Sequence, residues 1–416
     1  MNMTRHMPFL AAGISLAGYL PTAGAEGFFE DSKASMELRN FYMNRDFREG
    51  SGQSQREEWA QGFILRYESG YTAGTVGVGV DAIGMLGVKL DSGRGRNGTG
   101  LLPVQDDGGI DDDYAKAGAT LKLKVSDSEL RVGTLLPKWP TLAANNGRLL
   151  PQTFEGAQVQ IGEFRPLELV GAHIRDTVYR DQSGSEGLSL NNKNRRFSGP
   201  LDGGDFDVLG ATYRLGQATD LTAQYAVFED IYRQQFYGFT DRRQGDWGAL
   251  LSDVRLFFTD DEGQARGGAI DNRAFSAMGT YKAAGHSFGL GYQRMSGDSA
   301  FAYVNGTDPF LVNFVQVGDF AEKDERSWQA RYDYDLAKLG IPGLTFMTRY
   351  TKGSGADVPG ADGGGEREFD VELQYVVQSG ALRGLSTRLR SATYRSDFSR
   401  DADDVRVIVS YPLSLL

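Results

Sequence analysis

Beyond Glu26 one rhythm runs through the chain: apolar and polar residues alternate with a period of two. Thr75-Val76-Gly77-Val78-Gly79-Val80-Asp81 sets valine against small or polar residues, and Thr120 to Val125 reads Thr-Leu-Lys-Leu-Lys-Val. Leu209, Ala211, Tyr213 and Leu215 alternate with Gly210, Thr212 and Arg214; Trp328, Ala330, Tyr332 and Tyr334 alternate with Gln329, Arg331 and Asp333. Near the end Val405, Val407, Val409 and Tyr411 alternate with Arg406, Ile408 and Ser410. Successive side chains of a strand point to opposite faces, so segments of roughly ten residues with this period are strands with one apolar and one polar face. No sustained helical stripe interrupts them. The fold class is all-β.

The connections decide which all-β architecture this is. Short ones sit near Gly70-Tyr71-Thr72, Ser126-Asp127-Ser128, Arg165-Pro166, Gly216-Gln217-Ala218, Ala284-Gly285 and Gly380-Ala381, with long polar stretches at 91–114, 181–205, 298–325 and 353–366 between them. Short turns on one rim and long loops on the other are the pattern of an outer-membrane barrel, whereas a soluble sandwich has shorter strands and no such asymmetry. Tyr71, Tyr213, Tyr292, Tyr350, Tyr375 and Tyr411 fall on apolar faces near strand ends, where aromatic girdles belong. Eighteen strands can be placed, two of them weakly patterned around 235–243 and 251–259. At roughly 16–18 strands a barrel keeps an aqueous channel, and with lipid outside, the polar face is read as the lumen.

Composition narrows the function. The 416 residues include no cysteine and only three histidines, which removes disulfides, thiolate chemistry and His-rich metal sites; no cofactor or metal is expected. A net charge of -11 argues against nucleic-acid binding. Residues 1–25 read as a secretory signal: Arg5 and His6, an apolar run from Phe9 to Leu20, then Ala23-Gly24-Ala25 as a cleavage site, leaving 26–416 as one barrel domain. The acidic groups Asp106-Asp107, Asp111-Asp112-Asp113 and Asp260-Asp261-Glu262 lack EF-hand spacing and are read as solvated loops facing lipopolysaccharide.

Several segments resemble OprD-type porins. Leu38-Arg39-Asn40-Phe41-Tyr42 with Arg45-Asp46 is similar to their opening strand, Arg148-Leu149-Leu150-Pro151-Gln152-Thr153-Phe154-Glu155-Gly156 to the segment leaving their third loop, and Asp230-Ile231-Tyr232-Arg233-Gln234 to a further recurrent patch. The resemblance covers essentially the whole chain after the signal. It implies an 18-stranded antiparallel transmembrane barrel in a Gram-negative outer membrane, narrowed by inward-folded loops and lined by a basic ladder. Such porins occur as a monomer or a loose homotrimer.

Alternation by itself places Arg39, Arg131, Arg175, Arg331, Arg349, Arg388, Arg390 and Arg406 in the lumen, with Lys122, Lys124 and Lys282 as weaker candidates. Arg388 and Arg390 share one strand face, and closure of the last strand on the first brings Arg406 and Arg39 beside them. A guanidinium donates two parallel hydrogen bonds to a carboxylate and stays charged, and several in series let an anion step along without being trapped. The bland alternative is that these arginines pair with wall carboxylates such as Asp81, Asp333, Asp370 and Glu372. Loop 137–152, with Pro137, Pro140 and Pro151 and the apolar Leu135, Leu136, Trp139 and Leu142, is expected to fold inward and bring Arg148 to the pore. Loop 298–325, with Phe301, Tyr303, Phe310, Leu311, Phe314 and Val315 around Asp308-Pro309, is expected to do the same.

The resulting expectation is a passive, selective channel for small carboxylates, aromatic acids such as benzoate foremost, and not an enzyme. The alternatives are a basic amino acid or peptide channel of the same fold, in which Asp308 meets the cation, a general porin, and remotely a barrel serine hydrolase. The last needs His173, read as lumenal beside Arg175, or His286, read at the periplasmic rim, as base.

Overall fold

The structure, a computed structural model, describes residues 26–416; the signal expected over 1–25 lies outside the described residues. Eighteen antiparallel strands close into a barrel. They are β1 Lys33–Phe47, β2 Gln55–Glu68, β3 Gly77–Asp91, β4 Asp113–Val125, β5 Ser128–Leu135, β6 Thr153–Phe164, β7 Leu167–Val178, β8 Phe206–Leu215 and β9 Thr219–Phe228. The second half comprises β10 Tyr232–Gly245, β11 Gly248–Asp261, β12 Asp271–Ala283, β13 His286–Ser296, β14 Arg326–Asp335, β15 Leu344–Val358, β16 Ala361–Val376, β17 Ser386–Ser396 and β18 Ala402–Ser414. Each strand pairs with its sequence neighbours, and β1 pairs with β18 through Ser35↔Ser414, Met43↔Arg406 and Arg45↔Asp404. Closure satisfies every edge, which a sheet in lipid requires.

The outward face is apolar as alternation demands: Leu209 is 68% exposed and Leu290 72%, with Tyr213, Tyr292, Trp328 and Tyr375 also exposed there. The weakly patterned segments are full 14-residue strands, β10 and β11, paired along their whole length. Two expectations are corrected. The stretch 353–366 is not a loop; β15 and β16 continue through it and turn at 359–360. Gly353, Gly355 and Gly363-Gly364-Gly365 made it look like one, and the apolar–polar alternation fades there in sequence. Tyr71 is not in the outer girdle; its hydroxyl donates to Glu129 at 2.6 Å and its ring lies 4.9 Å from the Lys122 ammonium, both on the lumenal side.

The interior is not uniformly polar. Three apolar clusters line it where long loops fold in. Leu101, Leu102, Leu149 and Leu150 pack on Phe41, Met43, Ala60, Ile64, Ile83 and Met85. Trp139, Leu142 and Leu188 join Phe154, Ile174, Phe206 and Phe228. Phe301, Tyr303 and Leu311 seat on Phe236, Phe257, Ala274 and Met295. Fully burying one such side chain contributes about 1.5–3 kcal/mol, so a loop carrying several is held in the lumen and not in solvent.

Candidate functional site: the lumenal eyelet

The segment between β5 and β6 crosses the lumen because its two ends seat in different apolar clusters. Trp139 and Leu142, carried on the short ribbon Lys138–Trp139 and Leu142–Ala143, lie against the β6–β9 wall, while Leu149 and Leu150 lie against β1–β3. At the second anchor the loop approaches the wall closely at Gly62: a Cβ there would come within 3.1 Å of the Leu149 side chain, which would have to shift to admit it. Between the anchors Asn145-Asn146-Gly147-Arg148 is suspended over the pore. Arg39 fixes it, donating from Nη1 to Asn146 Oδ1 at 3.0 Å and to the Arg148 carbonyl at 2.7 Å, while its Nε and Nη2 hold Glu37. Arg39 is therefore lumenal as read, but its donors are spent on the loop and on Glu37.

The segment 297–325 reaches in from the opposite side. Asn145 donates to Asp308 Oδ1 at 2.6 Å and the Asp308 amide to the Ala143 carbonyl at 3.0 Å, so the two loops meet there. Further along, Gln316 donates to Asp404 at 2.8 Å and its carbonyl accepts from Arg406 at 3.0 Å. Burial pushes the Asp308 carboxyl up to about 6, although Arg180, Arg148 and the Asn145 amide favour its charged form.

Along the wall beneath these loops the register lines up the arginines. Arg331 faces Arg349, Arg349 faces Asp370, Glu372 faces Arg390, and Arg390 faces Arg406, which faces Met43 two residues from Arg45. The row crosses β14 to β18 and the closure onto β1. Every rung has a carboxylate: Arg331–Asp333 at 2.6 Å, Arg349–Asp370 at 2.8 Å, Arg390–Glu372 at 2.9 Å and Arg388–Glu372 at 3.5 Å, with Arg45 and Arg406 both 2.7 Å from Asp404. Six guanidiniums thus face four carboxylates, leaving an excess of positive charge. The pairing with Asp333, Asp370 and Glu372 set out as the bland alternative is formed, and the row exists as well.

The other candidates sit elsewhere. Arg131 meets Glu129 and, at 3.9 Å, Asp81; Lys122 meets Asp81 at 2.6 Å; and Lys124 lies 5.5 Å from the Tyr71 ring. These belong to the far wall, where Arg131 lines a cavity of about 580 Å³ together with Trp139 and Asn146. Lys282 lines a larger cavity of about 910 Å³ with Arg255, Arg331 and Arg349. Arg255, which sequence reasoning missed, pairs with Asp253 at 2.5 Å and lies 3.7 Å from the Phe310 ring centre. Its signal was the Asp253–Arg255 alternation in a strand whose pattern is weak.

Arg175 and His173 are corrected to the outer face. Ala157 and Asp207 flank His173 in register, Asp207 shares its face with the exposed Leu209, and the buried Ile174 points inward. The alternation was inverted because the inner face of β7 meets the apolar loop cluster and not water, while a register shift leaves Arg175 unpaired with β6. His173 places Nδ1 2.8 Å from Asp207 and Nε2 3.4 Å from Asp205, so both ring nitrogens face carboxylates and neither faces a serine. His286 begins β13 at the short-turn rim, with Nδ1 2.8 Å from the Tyr332 hydroxyl.

A closed barrel whose lumen is narrowed by two anchored loops and edged by a row of guanidiniums is an outer-membrane diffusion channel. Comparison with known proteins gives the same class. The family model for outer membrane porins of the OprD family matches residues 26–415. A porin-like protein GalP from Pseudomonas putida is 40% identical over 413 residues, covering 98% of each chain. The structure of Pseudomonas aeruginosa OpdK with vanillate superposes with a TM-score of 0.88 at 42% identity, covering 93% of this chain and 100% of that one. A BenF-like porin from Pseudomonas fluorescens gives 0.90 at 38% identity, covering 94% and 100%. The chain belongs to the OprD family of outer membrane porins, and its place is the outer membrane of a Gram-negative bacterium.

Proposed function

We propose that this porin takes up small carboxylates by passive, selective diffusion along the lumenal arginine row, with aromatic acids such as benzoate as the favoured class and with no catalytic step or cofactor. The observation that carries the reading is the row itself: neighbouring rungs on β14 to β18 and β1, in excess over the carboxylates that hold them. An anion exchanging from one fork to the next needs such a series of comparable sites. Support for the aromatic class comes from the larger cavity, where Phe310 presents a ring beside Arg255, and from the similar OpdK, solved with vanillate, an aromatic carboxylate. Each barrel carries its own eyelet, so the reading holds for a monomer or a loose homotrimer surrounded by lipid and lipopolysaccharide.

A second reading, a basic amino acid channel, is favoured by one feature: Asp308 beside the pore offers a carboxylate to a cation. Single-channel current across a planar bilayer, with benzoate and arginine titrated separately, distinguishes them. Saturable block by benzoate and not by arginine is the expected result, and Arg388→Gln with Arg390→Gln should weaken it. Block by arginine alone supports the second reading, and indifference to both supports a general pore.

A further inference from the structure

The outer face carries a charge pattern that takes no part in the lumen. On five consecutive strands, β12 to β16, an outward aromatic closes the apolar band toward the long-loop rim: Phe275, Tyr292, Trp328, Tyr350 and Phe369. The next outward position, two residues nearer that rim, is basic on every one of them: Arg273, Arg294, Arg326, Lys352 and Arg367, all exposed. Arg395 on β17 continues the arc. On both flanks the equivalent position is acidic: Asp260 follows Phe258 on β11, and Asp403 follows Val405 on β18. Further round the rim the same rank holds Glu57 beyond Trp59 on β2 and Asp207 beyond Leu209 on β8. In a chain of net charge -11 the basic arc is confined to one side of the barrel.

Within the arc like charges stand directly opposite each other. Arg294 pairs in register with Arg326, and Lys352 with Arg367, which in turn faces Arg395. Residues so placed have Cβ atoms about 4.5–5.5 Å apart, and like charges at that spacing repel. Arg395 is answered by Asp403 at 2.8 Å and Asp401 at 3.5 Å. Among the described residues the other five have no carboxylate oxygen within 4.0 Å, and their side chains make no hydrogen bond. Of the acidic residues on this stretch, Asp397 accepts from the Gly365 amide at 2.9 Å, and Asp271 lies one outward step nearer the rim than Arg273. The chain itself therefore leaves these opposed cations without a counter-charge.

We propose that this arc is a docking surface for phosphorylated glycolipid of the outer leaflet, with phosphate groups seated between the opposed basic side chains and acyl chains lying on the aromatics below. Aromatic girdles sit at the headgroup level, so a residue one outward step above them reaches the phosphates. A phosphate accepts two parallel bonds from a guanidinium and neutralises two facing cations at once. From β12 to β16 the arc spans four interstrand spacings of about 4.8 Å, about 19 Å in all, which suits a headgroup and not a single small ion. The unbroken aromatic row beneath it gives the same preference for a lipid over free phosphate. The inference does not depend on what passes through the lumen. It makes the glycolipid contact of the barrel one-sided, with Asp260 and Asp403 as its limits.

The test uses the full barrel refolded in a non-ionic detergent with a chelator present, so that no divalent ion bridges lipid to acidic loops. Diphosphorylated lipid A is titrated, and binding is read by native mass spectrometry alongside the thermal midpoint. Arg294→Gln with Arg326→Gln, and Lys352→Gln with Arg367→Gln, are each expected to weaken binding about tenfold, the size of one charge-assisted hydrogen bond. Asp207→Asn, on the opposite side, should leave it unchanged. Without lipid A the double variants should melt no lower than the parent, because a repulsive pair has gone; with lipid A the parent's midpoint should rise further than theirs. Equal binding by the parent and both double variants overturns the inference. Equal binding of dephosphorylated lipid A overturns it too, by assigning the contact to the acyl chains, as does displacement of lipid A by inorganic phosphate. A double variant that changes oligomeric state with lipid A affinity intact makes the arc a contact between copies of the chain, which also overturns it.

Discussion

Arg196 offers a sharp test of what keeps the lumenal loops in place. Its side chain is fully buried in the segment 179–205 and bonds to Asp319 Oδ2 at 2.6 Å and Oδ1 at 2.7 Å and to Glu322 Oε1 at 2.8 Å, both in the segment 297–325. In Arg196→Met, Asp319 keeps Lys193 at 2.9 Å and the Tyr303 hydroxyl at 3.0 Å, and Glu322 keeps only Asn194 at 2.7 Å. Burial would raise the Asp319 carboxyl, but the Arg196 guanidinium and the Lys193 ammonium outweigh it and hold the group below the usual carboxylate range. Removing one partner of such a buried pair costs about 3–5 kcal/mol. The barrel wall shares none of these three bonds, so the cost falls on the contact between the loops. A loss of about 3 kcal/mol multiplies the population of the opened loop roughly 150-fold. Amide hydrogen exchange on peptides covering 311–325 should accelerate by about that factor, while strand peptides keep their protection. Exchange within threefold of the parent protein in that segment, or a uniform loss of protection around the whole barrel, would refute the reasoning.

Two further outcomes follow from titrating groups in the loops. Burial first, then the charges of Glu366 and Glu322, push the Glu325 carboxyl well above its ordinary 4.5; its contribution to loop retention is therefore complete below that ordinary value and is lost as pH rises through the raised one. Protection of 311–325 should weaken on the alkaline side, and Glu325→Gln should flatten that dependence; an equal alkaline loss in the variant would exclude Glu325 as its source. Asp308 titrates near 6, so between about pH 5 and pH 7 the eyelet gains a negative charge. The anion-to-cation permeability ratio should fall over that interval, and Asp308→Asn should hold it constant; a variant that titrates like the parent channel would place the responsible group elsewhere.

Most of the barrel was legible because alternation reports what each face touches. Where the outer face meets lipid and the inner face carries charge, as at Arg388 and Arg390 on β17 or Arg406 on β18, two residues of spacing were enough to assign the lumen. Reading failed where those surroundings change. On β7 the inner face packs Ile174 under the loop cluster, so the polar His173 and Arg175 point outward. At the top of β15 and β16 the glycine-rich 353–366 keeps its strand pairing without alternation, and polar strand looked like loop. The apolar content of 137–152 and 298–325 was a sound guide to their folding inward, since Trp139, Leu149 and Phe301 each find a wall cluster. No periodicity marks a loop side chain, so Arg196 could not be read. Its role comes from partners more than a hundred positions away.

The row of guanidiniums runs across the junction of the first strand with the last, where Arg45 on β1 meets Asp404, itself bonded to Arg406 on β18. Among the described residues this is the one pairing of the barrel between strands that are not neighbours in sequence, and a slip of one position would turn Asp404 toward lipid. The fixed charges of the pore therefore also check the register of the closing step. An inserted but unzipped sheet would have its row divided along that line. Discrimination between ions arrives with closure, so a half-assembled barrel is not a half-selective pore.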